Sequence, residues 1–210
     1  MAQFFAIHAT HPQARLVRRA AEIVRAGGLV AYPTDSCYAL GGLPSANGAL
    51  ERLRRIRGID ERHHLTLMCR DLSEVGAYAI VDDARFRLIK GVTPGAYTFI
   101  LRATRELPRR LVHPKRKTIG VRVPAHAVAH ALLGDLDEPM LSATLLLPGD
   151  AQPLADAQEI RARLEHDLDL VIDAGSCGTQ PSTVIDLTAE TPLVLRRGKG
   201  SLAPFAVEPV

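Results

Sequence analysis

The chain contains 210 residues, of which 47% are hydrophobic and 23% are charged, a composition typical of a globular domain rather than of a disordered or fibrous chain. Aromatic residues amount to 4% and Trp is absent, so a broad aromatic platform for stacking single-stranded nucleic acid is not predicted. The net charge of +3 hides an uneven distribution: residues 1–122 carry 21 basic and 10 acidic side chains, whereas residues 123–210 carry 5 and 13. The first part therefore has the charge to attract phosphates or another polyanion.

The length favours one compact domain spanning residues 1–210. The wide spacing of Cys37, Cys69 and Cys177 matches neither a disulfide framework nor a zinc site. The N-terminus lacks the basic and apolar regions of an export signal, and no apolar run is long enough to span a bilayer. We therefore expect a soluble cytoplasmic protein that keeps its thiols reduced.

Strands and helices alternate in the predicted N-terminal part. Residues 3–8 favour a strand, and apolar residues at helical spacing predict a helix that starts at Pro12 and ends before Gly27. Ser45 is the expected N-cap of a second helix, which Gly58 closes. Between these helices, short apolar strands joined by a turn are predicted at 29–32 and 37–40.

The same alternation continues to the C-terminus. Further helices are predicted at residues 82–90, 125–133 and 156–165, and residues 147–155 are expected to form a surface loop or lid. Further short strands are predicted at 65–69, 97–102, 119–123, 140–145, 168–172, 183–187 and 193–196. The fold class that follows is α/β, a single domain with a mixed sheet flanked by helices.

The sequence lacks the motifs that identify several common enzyme classes. Neither the phosphate-binding loop nor the dinucleotide-binding glycine fingerprint occurs, and Gly198-Lys199-Gly200 lacks their spacing. A G-x-S-x-G nucleophile elbow and an H-E-x-x-H zinc motif are also absent. Apart from the adjacent His63 and His64, the histidines show no ligand spacing, so no metal site is predicted.

Polar segments at predicted strand and helix ends are the candidates for a site. Pro33-Thr34-Asp35-Ser36 presents two hydroxyls and a carboxylate beside a sheet end, and it is equally consistent with an ordinary hairpin turn. Arg54, Arg55 and Arg57 crowd the end of a helix, where they either complement the helix dipole or face an anion.

Three further segments can also be interpreted in two ways, as structural or as ligand-binding. Residues 102–122 hold eight basic side chains and one acidic one, a density that suits a phosphate backbone or a basic loop without a partner. Ser142 and Thr144 place two hydroxyls on one side of an apolar strand, either bonded to backbone carbonyls or facing a ligand. Residues 181–186 and 196–198 are likewise either structural or ligand-facing.

Taken in order and spacing, these segments resemble one family, the YrdC/YciO group of threonylcarbamoyl-AMP synthase-like proteins. Residues 32–41, YPTDSCYALG, are similar to its Y-P-T-[DE]-T-x-Y-G-L-G signature, and residues 93–101, TPGAYTFIL, to its P-G-P-x-T segment. Further matches lie at residues 118–124, 181–186 and 195–198. The similarity spans residues 10–200, and Phe4-Phe5 with residues 67–73 is typical of the YciO branch.

The resemblance implies a twisted mixed sheet with a large basic concave surface. It also implies an ATP-dependent nucleotidyltransferase that makes L-threonylcarbamoyladenylate and pyrophosphate from ATP, L-threonine and bicarbonate, with Mg²⁺ accompanying the ATP. Its product is used to place the threonylcarbamoyl group on a tRNA adenosine. This chemistry needs positioning and cations rather than an activated protein nucleophile, consistent with the missing motifs. One alternative is a non-catalytic protein that binds tRNA or double-stranded RNA on the same surface. Another is a different carbamoyl-type transferase that acts on a small molecule at the same site, which the sequence does not separate from the synthase.

Matched position by position, the resemblance also implies roles for individual residues. Catalytic contacts to the triphosphate are expected from Arg55 and Arg57. Nucleotide-binding residues are expected to be Thr34, Arg55, Arg57, Ser142, Thr144 and Arg196. Substrate-binding residues are expected to be Thr34, Arg122 and Ser182, the last two at the threonine carboxylate. In the RNA-binding alternative, contacts are expected from Arg109, Arg110, Lys115, Arg116 and Lys117.

The chain departs from the synthase pattern at two positions. Arg55 replaces a Lys, which keeps the charge but changes the geometry of a phosphate contact. Leu146 replaces the Asn of the S-x-S-A-N segment, and a lost amide contact costs about 1–3 kcal/mol. We therefore expect synthase activity that is weak or altered in substrate.

Overall fold

The structure is a computed structural model that describes residues 1–205, and within them ten strands form one sheet. The strands are β1 (Gln3–Ala6), β2 (Val30–Tyr32), β3 (Ala39–Gly42), β4 (Thr66–Met68), β5 (Tyr97–Arg102), β6 (Thr118–Arg122), β7 (Met140–Thr144), β8 (Leu170–Asp173), β9 (Thr183–Asp186) and β10 (Leu193–Arg196). Their order across the sheet is β1-β8-β2-β3-β7-β4-β6-β5-β9-β10. Four neighbouring pairs are parallel and five are antiparallel, so the sheet is mixed.

Six α-helices accompany these strands in the described part of the chain. They are α1 (Ala14–Arg25), α2 (Asn47–Arg57), α3 (Leu72–Tyr78), α4 (Asp83–Lys90), α5 (Ala127–Leu136) and α6 (Ala157–Leu164), and a 3-10 turn follows at Ala203–Phe205. The sequence patterns do not predict α3, because its seven residues bury only Val75 and give little periodicity. Its start signal is the carboxylate of Asp71, which accepts a hydrogen bond of 3.0 Å from the backbone N–H of Glu74.

The predicted start residues of α1 and α2 are wrong by one or two positions. Helix α1 begins at Ala14 after the N-cap residue Gln13, so Pro12 lies outside the helix. The N-cap of α2 is Ala46, which makes no capping bond, and Ser45 lies one residue too far upstream to cap it. The predicted end of α2 is confirmed, because Gly58 has φ of 60°, a conformation that glycine adopts without strain.

Helices cover the two faces of the sheet unequally. On one face, Leu53 of α2 and Ile160 of α6 belong to a continuous core with Leu67 of β4. On the other face, α1 and α5 pack together and bury the end formed by β1, β8 and β2. Beyond β7, no helix within residues 1–205 covers this second face over β4, β5 and β9, and a cavity forms there.

The predicted fold class is confirmed by these strands and helices. Short strands with both faces buried near the middle of the sheet account for the apolar runs in the sequence. In the described residues, every helix is too short or too polar to cross a lipid bilayer.

Candidate functional site

The uncovered part of the sheet forms a cavity of about 290 Å³, which we call the basic cavity. Its floor includes Thr66 and Met68 of β4 and Thr98 and Ile100 of β5, because alternate residues of a strand share one face. Four guanidinium groups line it, those of Arg57, Arg62, Arg122 and Arg196. A floor of hydroxyl and apolar groups beside four cations suits a ligand with a strongly anionic part.

The turn between β2 and β3 is organised by the hydroxyl of Thr34. This hydroxyl donates to the carbonyl of Cys37 at 2.6 Å and accepts from the backbone N–H groups of Ser36 at 3.2 Å and Cys37 at 3.3 Å. Thr34 is buried and lines the basic cavity. Because the Thr34 hydroxyl is already hydrogen-bonded within the turn, the main contribution of Thr34 to the cavity is to form part of its wall.

Arg122, at the end of β6, fastens the same turn. Its Nη1 donates to the hydroxyl of Ser36 at 3.0 Å, and its Nη2 donates to the carboxylate of Asp35 at 2.6 Å. The side chains of Arg122 and Asp35 are only 6% and 13% exposed, so this is a buried ion pair. The Nε of Arg122 is buried and has no hydrogen-bond partner within residues 1–205.

Arg57 ends α2, Arg196 ends β10, and neither forms an ion pair with a carboxylate within residues 1–205. The buried Nε of Arg57 has no hydrogen-bond partner. Desolvation, followed by the charge of Arg196, lowers the pKa of the Arg57 guanidinium. Desolvation and the charge of Arg122 lower the pKa of Arg196. These cations lie close together without a neutralising group, an arrangement that favours binding of an anion.

Two predicted hydroxyl residues lie in the same cavity, and each has a structural partner. Ser182 is 2.8 Å from the hydroxyl of Thr98 and also receives hydrogen bonds from Arg196, whose Nε contacts its carbonyl at 3.1 Å. Ser142 is 2.8 Å from the hydroxyl of Tyr32. Burial raises the pKa of Tyr32, so its hydroxyl keeps its proton. Ser182 therefore orients Arg196, and Ser142 presents its remaining hydrogen-bonding capacity to the cavity.

Two histidines, His63 and His64, line the cavity, although the sequence patterns assign them no role. The rings of His64 and His113 stack with their centroids 4.6 Å apart, and His64 Nε2 lies 3.1 Å from the hydroxyl of Thr118. Desolvation, followed by the charges of Arg57 and Arg196, lowers the pKa of His63. The position of His63 and His64 shortly after the Arg-rich end of α2 is the only signal that could have indicated this placement.

The structure does not bring Arg55 to the basic cavity. Arg55 and Arg57 are two residues apart on α2, so their side chains leave the helix about 200° apart. The side chain of Arg55 is 67% exposed and pairs with Asp167 at 2.8 Å. Of the two residues to which the resemblance assigns a triphosphate contact, the structure places only Arg57 in the lining of the basic cavity.

The residues predicted for RNA lie in the connection between β5 and β6. Arg110 is partly committed to the fold, because its Nη2 donates to the carbonyl of Pro44 at 2.8 Å. The side chains of all five candidates are exposed: Arg109, Arg110, Lys115, Arg116 and Lys117. They form a basic surface separate from the lining of the basic cavity.

A second cavity, of about 390 Å³, adjoins the first and contains Leu146. The two cavities share the lining residues Arg57, Thr144 and Arg196. The predicted loop at 147–155 contributes to the second cavity only. Leu146 therefore lines the same cavity as the two unneutralised arginines, Arg57 and Arg196.

The residues of the basic cavity do not form a protein ligand set for Mg²⁺. No Asp or Glu within residues 1–205 lines it, and no group of three or more His, Cys, Asp or Glu in that range could hold a metal ion. Protein-bound Mg²⁺ usually has at least one carboxylate ligand. A metal ion would therefore have to enter on the phosphates of a nucleotide.

Binding of a triphosphate is expected to make His63 take up a proton. The anion would offset the charges of Arg57 and Arg196, which together with desolvation hold the pKa of His63 below its usual value of about 6.5. Because the pKa rises on binding, near pH 6 the complex holds more protons than the free protein, and affinity increases as the pH falls. Titration calorimetry in buffers of different ionisation enthalpy measures this uptake.

The control for this experiment is His130→Gln, an exposed position on α5. We expect His63→Gln to reduce the proton uptake and His130→Gln to leave it unchanged. Equal uptake in the wild type and in His63→Gln would show that another group titrates.

Sequence comparison with known proteins shows the family of this chain. The sequence model of the Sua5/YciO/YrdC family, described as "Telomere recombination", matches residues 22–198. The protein called "Uncharacterized protein YciO" in Escherichia coli K12 is 55% identical over 205 residues, which cover 98% of this chain and 100% of that protein. A Haemophilus influenzae protein is 53% identical over 206 residues, with the same coverage of both chains.

Solved structures give the same result. The crystal structure of E. coli YciO has a TM-score of 0.95 and covers 98% of this chain and 100% of its own. The crystal structure of P. abyssi Sua5 complexed with L-threonine has a TM-score of 0.85 at 26% identity, and the match covers 93% of this chain and 57% of that one. The chain therefore belongs to the Sua5/YciO/YrdC family, in its YciO branch.

Proposed function

We propose that this chain is an ATP-dependent nucleotidyltransferase that forms L-threonylcarbamoyladenylate or a close relative of it. The observation that carries the proposal is the pair Arg57 and Arg196, two cations without a carboxylate partner in the described part of the chain, beside a cavity lined with hydroxyl groups. The TM-score of 0.85 with a Sua5 structure that contains L-threonine supports the choice of amino acid. The product would supply the threonylcarbamoyl modification of tRNA.

In the proposed reaction, bicarbonate gives carbon dioxide and hydroxide, and the amine of threonine forms a C–N bond to the carbon dioxide. The amine proton leaves with the hydroxide as water, which gives a carbamate. A carbamate oxygen then attacks the α-phosphorus of ATP; a new P–O bond forms, the bond between the α- and β-phosphates breaks, and pyrophosphate leaves. Arg57 and Arg196 would hold the phosphates and stabilise the charge that develops on them. The guanidinium of Arg122, with Ser182, would contact the threonine carboxylate.

The test is pyrophosphate release from ATP and bicarbonate in the presence and absence of L-threonine. The proposal expects release that depends on threonine. No release with any amino acid, under conditions in which a family synthase turns over, would contradict it.

Leu146→Asn is expected to raise synthase activity by about tenfold. The side chain lies in the adjoining cavity beside Arg57 and Arg196, where an amide can donate to a ligand that leucine cannot bind. Leu146 is half-buried, so we expect little effect on folding. Steady-state kinetics measures the change, and Leu147→Asn is the matched control on the same loop. No gain at position 146 would show that the amide is not what limits activity.

RNA binding is a second candidate function, favoured by the exposed basic surface between β5 and β6. For this candidate, the logarithm of tRNA affinity should fall steeply and linearly with the logarithm of salt concentration. Replacing Arg109 and Lys115 with Gln should lower that slope by about 2, whereas Arg18→Gln on α1 should not change it. A flat salt dependence would exclude a phosphate-backbone contact by this surface.

A further inference from the structure

The charged side chains that line the basic cavity, within residues 1–205, are all basic. Four guanidinium groups line it, and no Asp or Glu between residues 1 and 205 does. Asp35 is the carboxylate paired with Arg122, and its side chain is held in the turn rather than in the cavity lining. A ligand entering the cavity therefore meets three guanidinium groups that have no carboxylate partner in the described residues, those of Arg57, Arg62 and Arg196, while Arg122 is already paired with Asp35.

Three of the hydroxyl groups that could replace carboxylates as metal ligands are already engaged. Thr34 donates to the carbonyl of Cys37 at 2.6 Å. Ser142 lies 2.8 Å from the Tyr32 hydroxyl, and Ser182 lies 2.8 Å from the Thr98 hydroxyl. Magnesium requires near-octahedral oxygen coordination and gives up its waters reluctantly, so these partly committed hydroxyls form a poor site for it.

The electrostatic consequence depends on the form in which a nucleotide arrives. Free ATP carries more negative charge than its Mg²⁺ complex, and Arg57 and Arg196 are the groups that this charge would neutralise. A dication placed on the same phosphates would be repelled by the cavity cations and would cancel part of the charge that they attract. We propose that the basic cavity binds nucleoside triphosphate as the metal-free anion in preference to its Mg²⁺ complex, with the arginines as its counter-ions.

This inference rests on the proposed function only in taking a nucleotide as the ligand. Two probes, ATP and tripolyphosphate, distinguish a failure of the inference from a failure of the proposed function. The first experiment measures ATP binding by calorimetry in EDTA and in excess MgCl₂, at ionic strength matched with NaCl, because salt alone screens the interaction. We expect ATP to bind about tenfold more weakly in MgCl₂. Equal or tighter binding in MgCl₂ would overturn the inference and leave the proposed function standing.

Inorganic tripolyphosphate is the second probe, since it has the phosphates without the nucleoside. It should show the same weakening by Mg²⁺. If ATP binds in neither buffer, both ideas fail, whatever tripolyphosphate does. If ATP binds more weakly in MgCl₂ but threonine causes no pyrophosphate release, the inference stands and the proposed function fails.

A charge reversal tests the cause of the preference. Arg62 is exposed and lines the cavity, so Arg62→Glu supplies the missing carboxylate without disturbing the core. We expect this variant to reduce the Mg²⁺ penalty for tripolyphosphate by about threefold or more, while Arg15→Glu, an exposed change on α1, preserves it. An unchanged penalty in Arg62→Glu would show that the cationic lining is not its cause and would overturn the inference.

Discussion

Replacing Arg57 with Ala is expected to lower threonine-dependent pyrophosphate release about a hundredfold, since removal of one group that stabilises transition-state charge typically costs this much or more. The guanidinium of Arg57 lines both cavities, and its buried Nε has no partner. The substitution removes the positive charge of Arg57. In the free protein, desolvation and the nearby charge of Arg196 destabilise that charged form. Folding stability should therefore be unchanged or higher while activity falls, a combination that a merely structural residue would not give.

Arg55→Ala is the matched control, because Arg55 lies on the same helix only two residues away. It is exposed and pairs with Asp167, and exposed ion pairs contribute about 0–1 kcal/mol. We expect its activity to remain within about twofold of the wild type. Steady-state pyrophosphate release and thermal unfolding of both variants decide the matter. An equal loss of activity in Arg55→Ala would contradict the assignment of the phosphate contact to Arg57 alone.

Sequence patterns predict the sheet well because short apolar strands between turns are local features. The turn at Thr34 and the left-handed cap at Gly58 are examples of signals that lie in a few neighbouring residues. Helix α3 shows the limit of such signals, because its seven residues bury only Val75. Which face of the sheet remains uncovered depends on how α1 and α5 pack together, and no local pattern contains that information.

The candidate site is likewise only partly contained in the sequence. The resemblance points to Arg57, Arg122 and Arg196, and these three lie together in the basic cavity. It also points to Arg55, which the rotation of α2 directs toward Asp167. Matching by motif assigns the same contact to Arg55 and Arg57, because a motif carries no information on direction. On a helix, the side chains of residues two apart point about 200° apart. His63 is found only when the folded structure places it near the arginines.

Asp35→Asn is expected to lower the free energy of unfolding by about 3 kcal/mol, because it leaves the buried charge of Arg122 without its partner. The two side chains are 13% and 6% exposed, and the bond between them is 2.6 Å. Urea unfolding measures the loss. Glu22→Gln is the matched control, because it breaks an ion pair with Arg19 in which both side chains are more than half exposed, and it should cost less than about 1 kcal/mol.

The second arm of this experiment separates the ion pair from the general effect of altering the turn. In the double variant Asp35→Asn with Arg122→Met, the unpaired charge is gone, so the double variant should be less destabilised than the sum of the two single variants. A loss in Asp35→Asn no greater than that in Glu22→Gln would mean that Arg122 does not depend on this carboxylate. Because Arg122 also fastens Ser36, a confirmed coupling would mean that the turn carrying Thr34 and the cavity wall are stabilised by the same buried ion pair.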